Sequence, residues 1–249
     1  MEQTQDDYRK SFQTYLSAQR HYSPHTQSSY HIDLTQYFAY LTSVSIVDPL
    51  SIDADAVRRW LVQLEDQELS ARSIQRKFSA VRTFYRFMRQ QHPDFQDPFK
   101  RIASPKQQHH LPDVMHGSEV QQLLGVVSSD KPDDIRDRAM IELIYAAGLR
   151  VSELVALSME QLSEIKTGQL RVTGKGQKER DVFIYGGAVA AVGKYVVEVR
   201  PVYLQRCQLS VVGCQEIFLG RNGTALTARS VQRMVQKRLK QAGIFKHAT

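Results

Sequence analysis

The chain has 249 residues, 42% hydrophobic and 24% charged, which suits water-soluble folded domains and leaves room for one large domain or two ordinary ones. Its formal charge of +7 favours a polyanionic partner, nucleic acid ahead of an anionic membrane. Two cysteines fit neither a zinc site nor a disulfide scaffold, the acidic first residues are no signal peptide, and no apolar run nears the ~20 residues that span a bilayer, so a cytoplasmic protein with no membrane partner is expected.

The first hundred residues carry helical spacing. Ser23 followed by Pro24 reads as an N-cap and a first helical residue, and Tyr30, Leu34, Tyr37, Phe38 and Leu41 mark the inward face behind it. Val57, Trp60, Leu61 and Leu64 mark another helix. A further helix is expected from near Ser70 to about Gln91, with Ile74, Phe78, Val81, Phe84, Tyr85 and Met88 as its stripe, ended by His92-Pro93. That helix holds six basic residues and no acidic one. Arg72, Arg76, Arg82, Arg86 and Arg89 fall away from the stripe and Lys77 lies nearer its edge. A face of one sign gains no ion pairs and repels itself, and phosphates relieve that repulsion. Arg72, Arg76 and Arg82 are therefore candidate DNA contacts.

Residues 101–114 have no periodicity and two prolines. They divide the chain into a helical domain over 1–103, a linker over 104–114, and a second domain over 115–249. The linker histidines His109 and His110 read as solvated.

The second domain mixes element types. Ser118 to Gln121 reads as a capping box, with Val120, Leu123, Leu124 and Val127 behind the cap residue. A helix from about Asp134 to Ala147 ends on Gly148, and Asp133, Asp134 and Asp137 suit its start better than a metal. Arg150 opens the next helix, which Leu154 and Leu157 anchor. Leu170 and Val172, then Val182 and Ile184, alternate on either side of Gly174-Lys175-Gly176, which predicts a β-hairpin. A helix over about 187–199 is expected to stop at Pro201, and Ile217 to Leu219 reads as a short strand. Thr227 caps a last helix with Val231, Met234, Val235 and Leu239 inward and Gly243 at its end. From Arg200 onward nine basic residues face Glu216 alone, so both domains look able to hold a duplex between them.

Two residues suit phosphate chemistry. Arg150 sits where helix amides and dipole already favour an anion, and its guanidinium can fork onto one. Glu153, one turn on, either accepts the spare donors of that guanidinium or only assists the helix start. Lys175 is not part of a Walker loop, but a hairpin can carry such a cation into a DNA groove. Lys178 and Arg180 read as phosphate contacts or plain surface charges. No nucleophilic triad is present, and no metal or cofactor is called for.

Several of these segments together resemble the tyrosine recombinase family and, within it, the Xer branch, nearer the XerC than the XerD type. The likeness is carried by Tyr15-Leu16, Ser23 to Thr26, Ser104 to Lys106, Leu111-Pro112, Arg136 through Leu157, and Thr173 to Arg180. It implies a mainly α protein: a helical SAM-like core-binding domain, then an α+β catalytic domain with a small β-hairpin. It also implies DNA cutting and rejoining through a 3′-phosphotyrosyl link without metal or ATP. Arg150 would clamp the scissile phosphate, Lys175 would protonate the departing 5′-oxygen, and Glu153 would support them. The implied partners are a short double-stranded DNA site, a second Xer-type recombinase in a heterotetramer, and a septal DNA translocase, the outcome being chromosome-dimer resolution at cell division. The family's His-x-x-Arg box, later histidine and tyrosine are expected past Gly243 and are not among these residues, and Tyr185, Tyr195 and Tyr203 lie upstream of that box. A polypeptide of these 249 residues is thus expected to bind DNA without cutting it. Two other readings stay open, a relative that only binds DNA and a phage- or integron-type integrase.

Overall fold

Side-chain caps open the long helices of the first half. In the computed structural model, which describes residues 5–19, 22–104, 113–174, 178–207 and 214–246, α1 (Gln5–Thr14) widens into a π-type turn at Tyr15–Gln19. Then come α2 (Pro24–Ser43), α3 (Ala54–Asp66) and α4 (Ala71–Gln91). The Ser23 hydroxyl accepts from Thr26 N at 3.3 Å, Asp53 from Ala56 N at 2.7 Å, and Ser70 from Ser73 N at 3.2 Å, each satisfying an amide the helix cannot. Two compact units divide the chain, Met1–His110 and Leu111–Thr249. Most of the expected linker, with His109 and His110, lies outside the described residues.

The first unit has an aromatic core. Phe12, Tyr37, Phe78, Phe84 and Tyr85 are fully buried. Phe12 meets Phe84 edge-on at 5.5 Å and Tyr37 meets Trp60 at 4.8 Å, the offset geometry that ring quadrupoles favour. Tyr85 donates to Pro49 O at 3.0 Å, so its oxygen is free to accept from the Tyr37 hydroxyl, also at 3.0 Å. One expectation fails here. The basic face of α4 is not free of acid, because the buried Asp33 of α2 ion-pairs with both Arg76 and Lys77. Lys77 is itself buried and belongs to the core side of the helix. Arg72, Arg86 and Arg89 are exposed, and Arg82 is half-buried.

The second unit is wound around α6 (Pro132–Ala147), which is buried on nearly every side. Before it lies α5 (Gly117–Gly125), and after it α7 (Val151–Val155) and α8 (Leu162–Thr167). The cap of α5 is His116, whose amide donates to Glu119 at 2.7 Å. The expected box at Ser118 and Gln121 does not form, since Ser118 is already inside the first turn. Gly148 ends α6 with φ of 57° and Gly168 ends α8 with φ of 80°, both in the left-handed region that favours glycine.

Strands β1 (Gln169–Thr173) and β2 (Glu179–Phe183) form an antiparallel hairpin in which Leu170 faces Val182 and Val172 faces Arg180. Leu170 and Val172 bury against the core. The chain continues through α9 (Gly186–Lys194), a second π-type turn at Tyr195–Val199, and α10 (Arg200–Leu204). Pro201 therefore does not stop the helix; it lies in the first turn of α10, where a missing amide is tolerated. Ile217 to Leu219 is no strand either. Only isolated bridges form, Ser158 to Glu216 just before it and Leu219 to Ala225 at its end, and the run turns away after Ile217 N donates to Leu157 O at 2.8 Å. The last helix, α11 (Ala228–Gln241), is capped by Thr227 as expected.

Candidate active site and nucleic-acid surface

The left-handed Gly148 turns the chain sharply out of α6, and two residues later Arg150 becomes the cap residue of α7. Its backbone is extended there, at φ −70° and ψ 150°, which frees its side chain from the helix. Arg150 is 61% exposed while the side chain of Glu153 is only 5% exposed. Both open readings of Glu153 hold at once. One oxygen, Oε2, accepts from Arg150 N at 2.8 Å and completes the helix start, while Oε1 accepts from Arg150 Nη1 at 2.9 Å.

A third residue joins them from the hairpin. Arg180 on β2 donates Nη1 to Glu153 Oε1 and Nη2 to Oε2, both at 2.8 Å, and reaches Gly148 O at 3.3 Å. It is no loose surface charge. This fork, with the bonds from Arg150, holds the Glu153 carboxyl down to about 2, against the opposing pull of burial. One carboxylate between two guanidiniums leaves the cluster with one net positive charge.

Gly174 closes the hairpin next to this cluster. Its amide donates to Lys178 O at 2.8 Å. A β-carbon on Gly174 would stand 3.3 Å from Arg150 Nη1, 3.4 Å from Arg180 Nη1 and 3.5 Å from Glu153 Oε1. Lys175, the next residue, lies outside the described residues. The arrangement can receive an anion: among the described residues, the Arg150 guanidinium spends one hydrogen bond on Glu153 and is otherwise open to solvent.

The basic C-terminal stretch sorts into two groups. Arg200 is buried and donates to Cys214 O at 2.8 Å, Glu216 O at 2.9 Å and Ile217 O at 3.2 Å. Arg238 is buried against Asp134 and Asp137, 2.6 Å from each. Arg221 pairs with Asp133, and Lys246 with Glu119 at 2.7 Å. These four are structural, and the α6 aspartates face arginines instead of capping their helix. The signal for Arg238 is its place seven residues after Val231, on the inward stripe of α11. By contrast Arg229, Arg233, Lys237 and Lys240 line the exposed side of α11. Among the described residues no group of three His, Cys, Asp or Glu could hold a metal, and Cys207 and Cys214 are free thiols with sulfurs 3.6 Å apart.

The three tyrosines upstream of the expected box are already engaged. Tyr185 donates to Glu142, and burial, reinforced by that carboxylate, pushes its hydroxyl up to about 12. Tyr195 accepts from Leu219 N at 2.9 Å, and Tyr203 donates to Asp133 at 2.6 Å. Burial raises both of their pKa values.

Residues 10–92 match the phage integrase N-terminal SAM-like domain, and residues 113–249 match the phage integrase family. The chain is 33% identical over 244 residues to a tyrosine recombinase XerC of Halalkalibacterium halodurans, covering 98% of this chain and 80% of that one. It is 36% identical over 235 residues to a tyrosine recombinase XerD of Lacticaseibacillus casei, covering 94% and 78%. A lambda integrase dimer bound to a COC′ core site shares the fold with a TM-score of 0.70 at 16% identity, over 98% of this chain and 84% of that one. XerH bound to difH in a pre-cleavage complex does so with a TM-score of 0.64 at 17% identity, over 98% and 68%.

Proposed function

We propose that this chain, which belongs to the phage integrase family of site-specific tyrosine recombinases and to its Xer branch, grips one backbone phosphate of a short duplex with Arg150 and presents Lys175 to the same phosphate. One observation carries this reading: Gly174, the residue before Lys175, stands against the Arg150 guanidinium. Members of the family cut and rejoin DNA strands. As a hydroxyl attacks phosphorus, charge builds on the non-bridging oxygens, and a preorganised guanidinium stabilises that charge more than it stabilises the starting phosphate. Loss of one such donor typically costs on the order of 10²–10³ in rate. Lys175 donates its proton to the departing 5′-oxygen, which makes the leaving group neutral. Tyr185, Tyr195 and Tyr203 do not attack, because each hydroxyl is committed to a partner.

Two basic surfaces hold the duplex by its phosphates. Arg72 and Arg82 lie on α4 in the first unit, with Arg76 shared between Asp33 and solvent. Arg229, Arg233, Lys237 and Lys240 lie on α11 in the second. Their role is positional and salt-sensitive rather than sequence-reading. The likeness to proteins named XerC and XerD supports a cytoplasmic enzyme that pairs with a second Xer-type recombinase in a heterotetramer, under a septal translocase, to resolve chromosome dimers.

The test begins with duplexes selected by the protein from a random pool. Single methylphosphonate linkages, which remove one phosphate charge each, are then scanned across the winner. One central linkage should weaken the wild-type protein strongly and leave Arg150→Ala indifferent. If no linkage separates the two proteins, Arg150 does not grip a phosphate.

A further inference from the structure

We infer that Arg180 is a positioning residue for Arg150: by forking onto both oxygens of Glu153 it leaves most of the donors of the Arg150 guanidinium open to DNA. This rests on the phosphate grip proposed above and adds a residue to it. Glu153 is buried, and its carboxylate cannot stay charged there without close partners. With Arg150 alone beside it, the favoured arrangement is the planar fork in which two parallel N–H groups meet two oxygens. That fork would fold Arg150 onto Glu153 and cancel its charge. In the structure the fork belongs to Arg180, at 2.8 Å on each oxygen, and Arg150 is left with one side-chain bond to the shared Oε1.

Arg180 also carries information between elements. It stands on β2 opposite Val172, so its grip on Glu153 and on Gly148 O fixes the hairpin against the turn from which Arg150 projects. The alternative role for the same contacts is simple stapling of a hairpin to a helix. The two roles differ in one respect. A staple matters equally whatever DNA is bound, whereas a positioning residue matters only when Arg150 has a charged phosphate to hold.

The experiment uses the full chain as wild type, Arg150→Ala, Arg180→Ala, Arg180→Lys and the double alanine variant. The probe is the pool-selected duplex, intact or with one methylphosphonate at the sensitive linkage. Arg180→Ala should weaken binding to the intact duplex on the order of ten- to a hundredfold. That loss should vanish on the methylphosphonate duplex and in the Arg150→Ala background. Arg180→Lys keeps the charge without the fork and should fall between. A loss of equal size on both duplexes overturns the inference. Should Arg180→Ala fail to fold, the same comparison made with Arg180→Lys decides. If Arg150→Ala itself loses nothing at any linkage, the phosphate grip fails first, and the two failures are thereby told apart.

Discussion

Gly174 stands close against Arg150: a β-carbon there would lie 3.3 Å from Nη1, and the guanidinium would have to give by a few tenths of an ångström. Gly174 is not among the glycines with positive φ, so alanine would fit its backbone without strain. Any effect of Gly174→Ala must therefore arise from crowding the two guanidiniums and Glu153. Duplex affinity should fall about three- to tenfold, the range of a modest displacement of one charged contact. The melting temperature should stay near that of the wild type. Fluorescence anisotropy and thermal unfolding on the same samples check both halves.

The pH dependence of stability should report on Glu153. Its carboxyl is held down to about 2, from an ordinary 4.5, by the bonds from Arg180 and Arg150. A depressed acid contributes its full stability above its unfolded value and loses it as pH falls toward its folded one. The contribution at neutral pH is roughly 3 kcal/mol. Glu153→Gln should be less stable by about that amount at pH 7 and should converge with the wild type near pH 2, as urea unfolding across the range would show. A difference that persists undiminished at the acid end would mean that packing, not charge, is what glutamate supplies.

Salt should separate the two groups of C-terminal cations. Each phosphate contact adds about 0.9 to the slope of log affinity against log salt. Replacing Arg229, Arg233, Lys237 and Lys240 together by glutamine should flatten that slope by up to about 3.6 with the fold intact. Isothermal binding at several salt concentrations measures it. An unchanged slope would show that this side of α11 does not face the duplex.

Arg238 should behave in the opposite way. It is buried against Asp134 and Asp137, so Arg238→Ala takes a charged partner from both, leaving Asp137 to Arg136 and Asp134 to the Ser129 hydroxyl. A destabilisation of about 1–3 kcal/mol is expected. Arg238→Met with Asp137→Leu should not recover it, because the buried Arg136 would then lose its own 2.7 Å partner. Denaturant midpoints of the single and double variants decide this.

The division between what the sequence disclosed and what it withheld follows the range of each interaction. Ser23, Ser70 and Thr227 cap their helices through partners three residues away, and Gly148 ends α6 by its own backbone, so a local pattern was enough. The hairpin and the place of Arg150 were legible for the same reason. Asp33 lies 43 residues from Arg76, and Arg180 lies 27 from Glu153. No spacing rule connects such pairs, and charge alone made Arg180 look like a surface residue. The cap of α5 was misplaced by two residues because Ser118 has the right chemistry and the wrong backbone, while His116 and Glu119 have the right positions.

The widened turn at Tyr195–Val199 sets the angular indexing of everything after it. Positions four apart in an ordinary α-helix overshoot a full revolution by about 40°, so two such steps would swing a side chain some 80° off its starting direction. Tyr195, Val199 and Tyr203 are nonetheless all buried, because the broader loop of backbone absorbs the overshoot. Deleting a single residue there would rotate Tyr203 by about 100°, away from Asp133, and would drag the buried Arg200 off the carbonyls it holds. Residue count in that stretch is thus as constrained as residue identity.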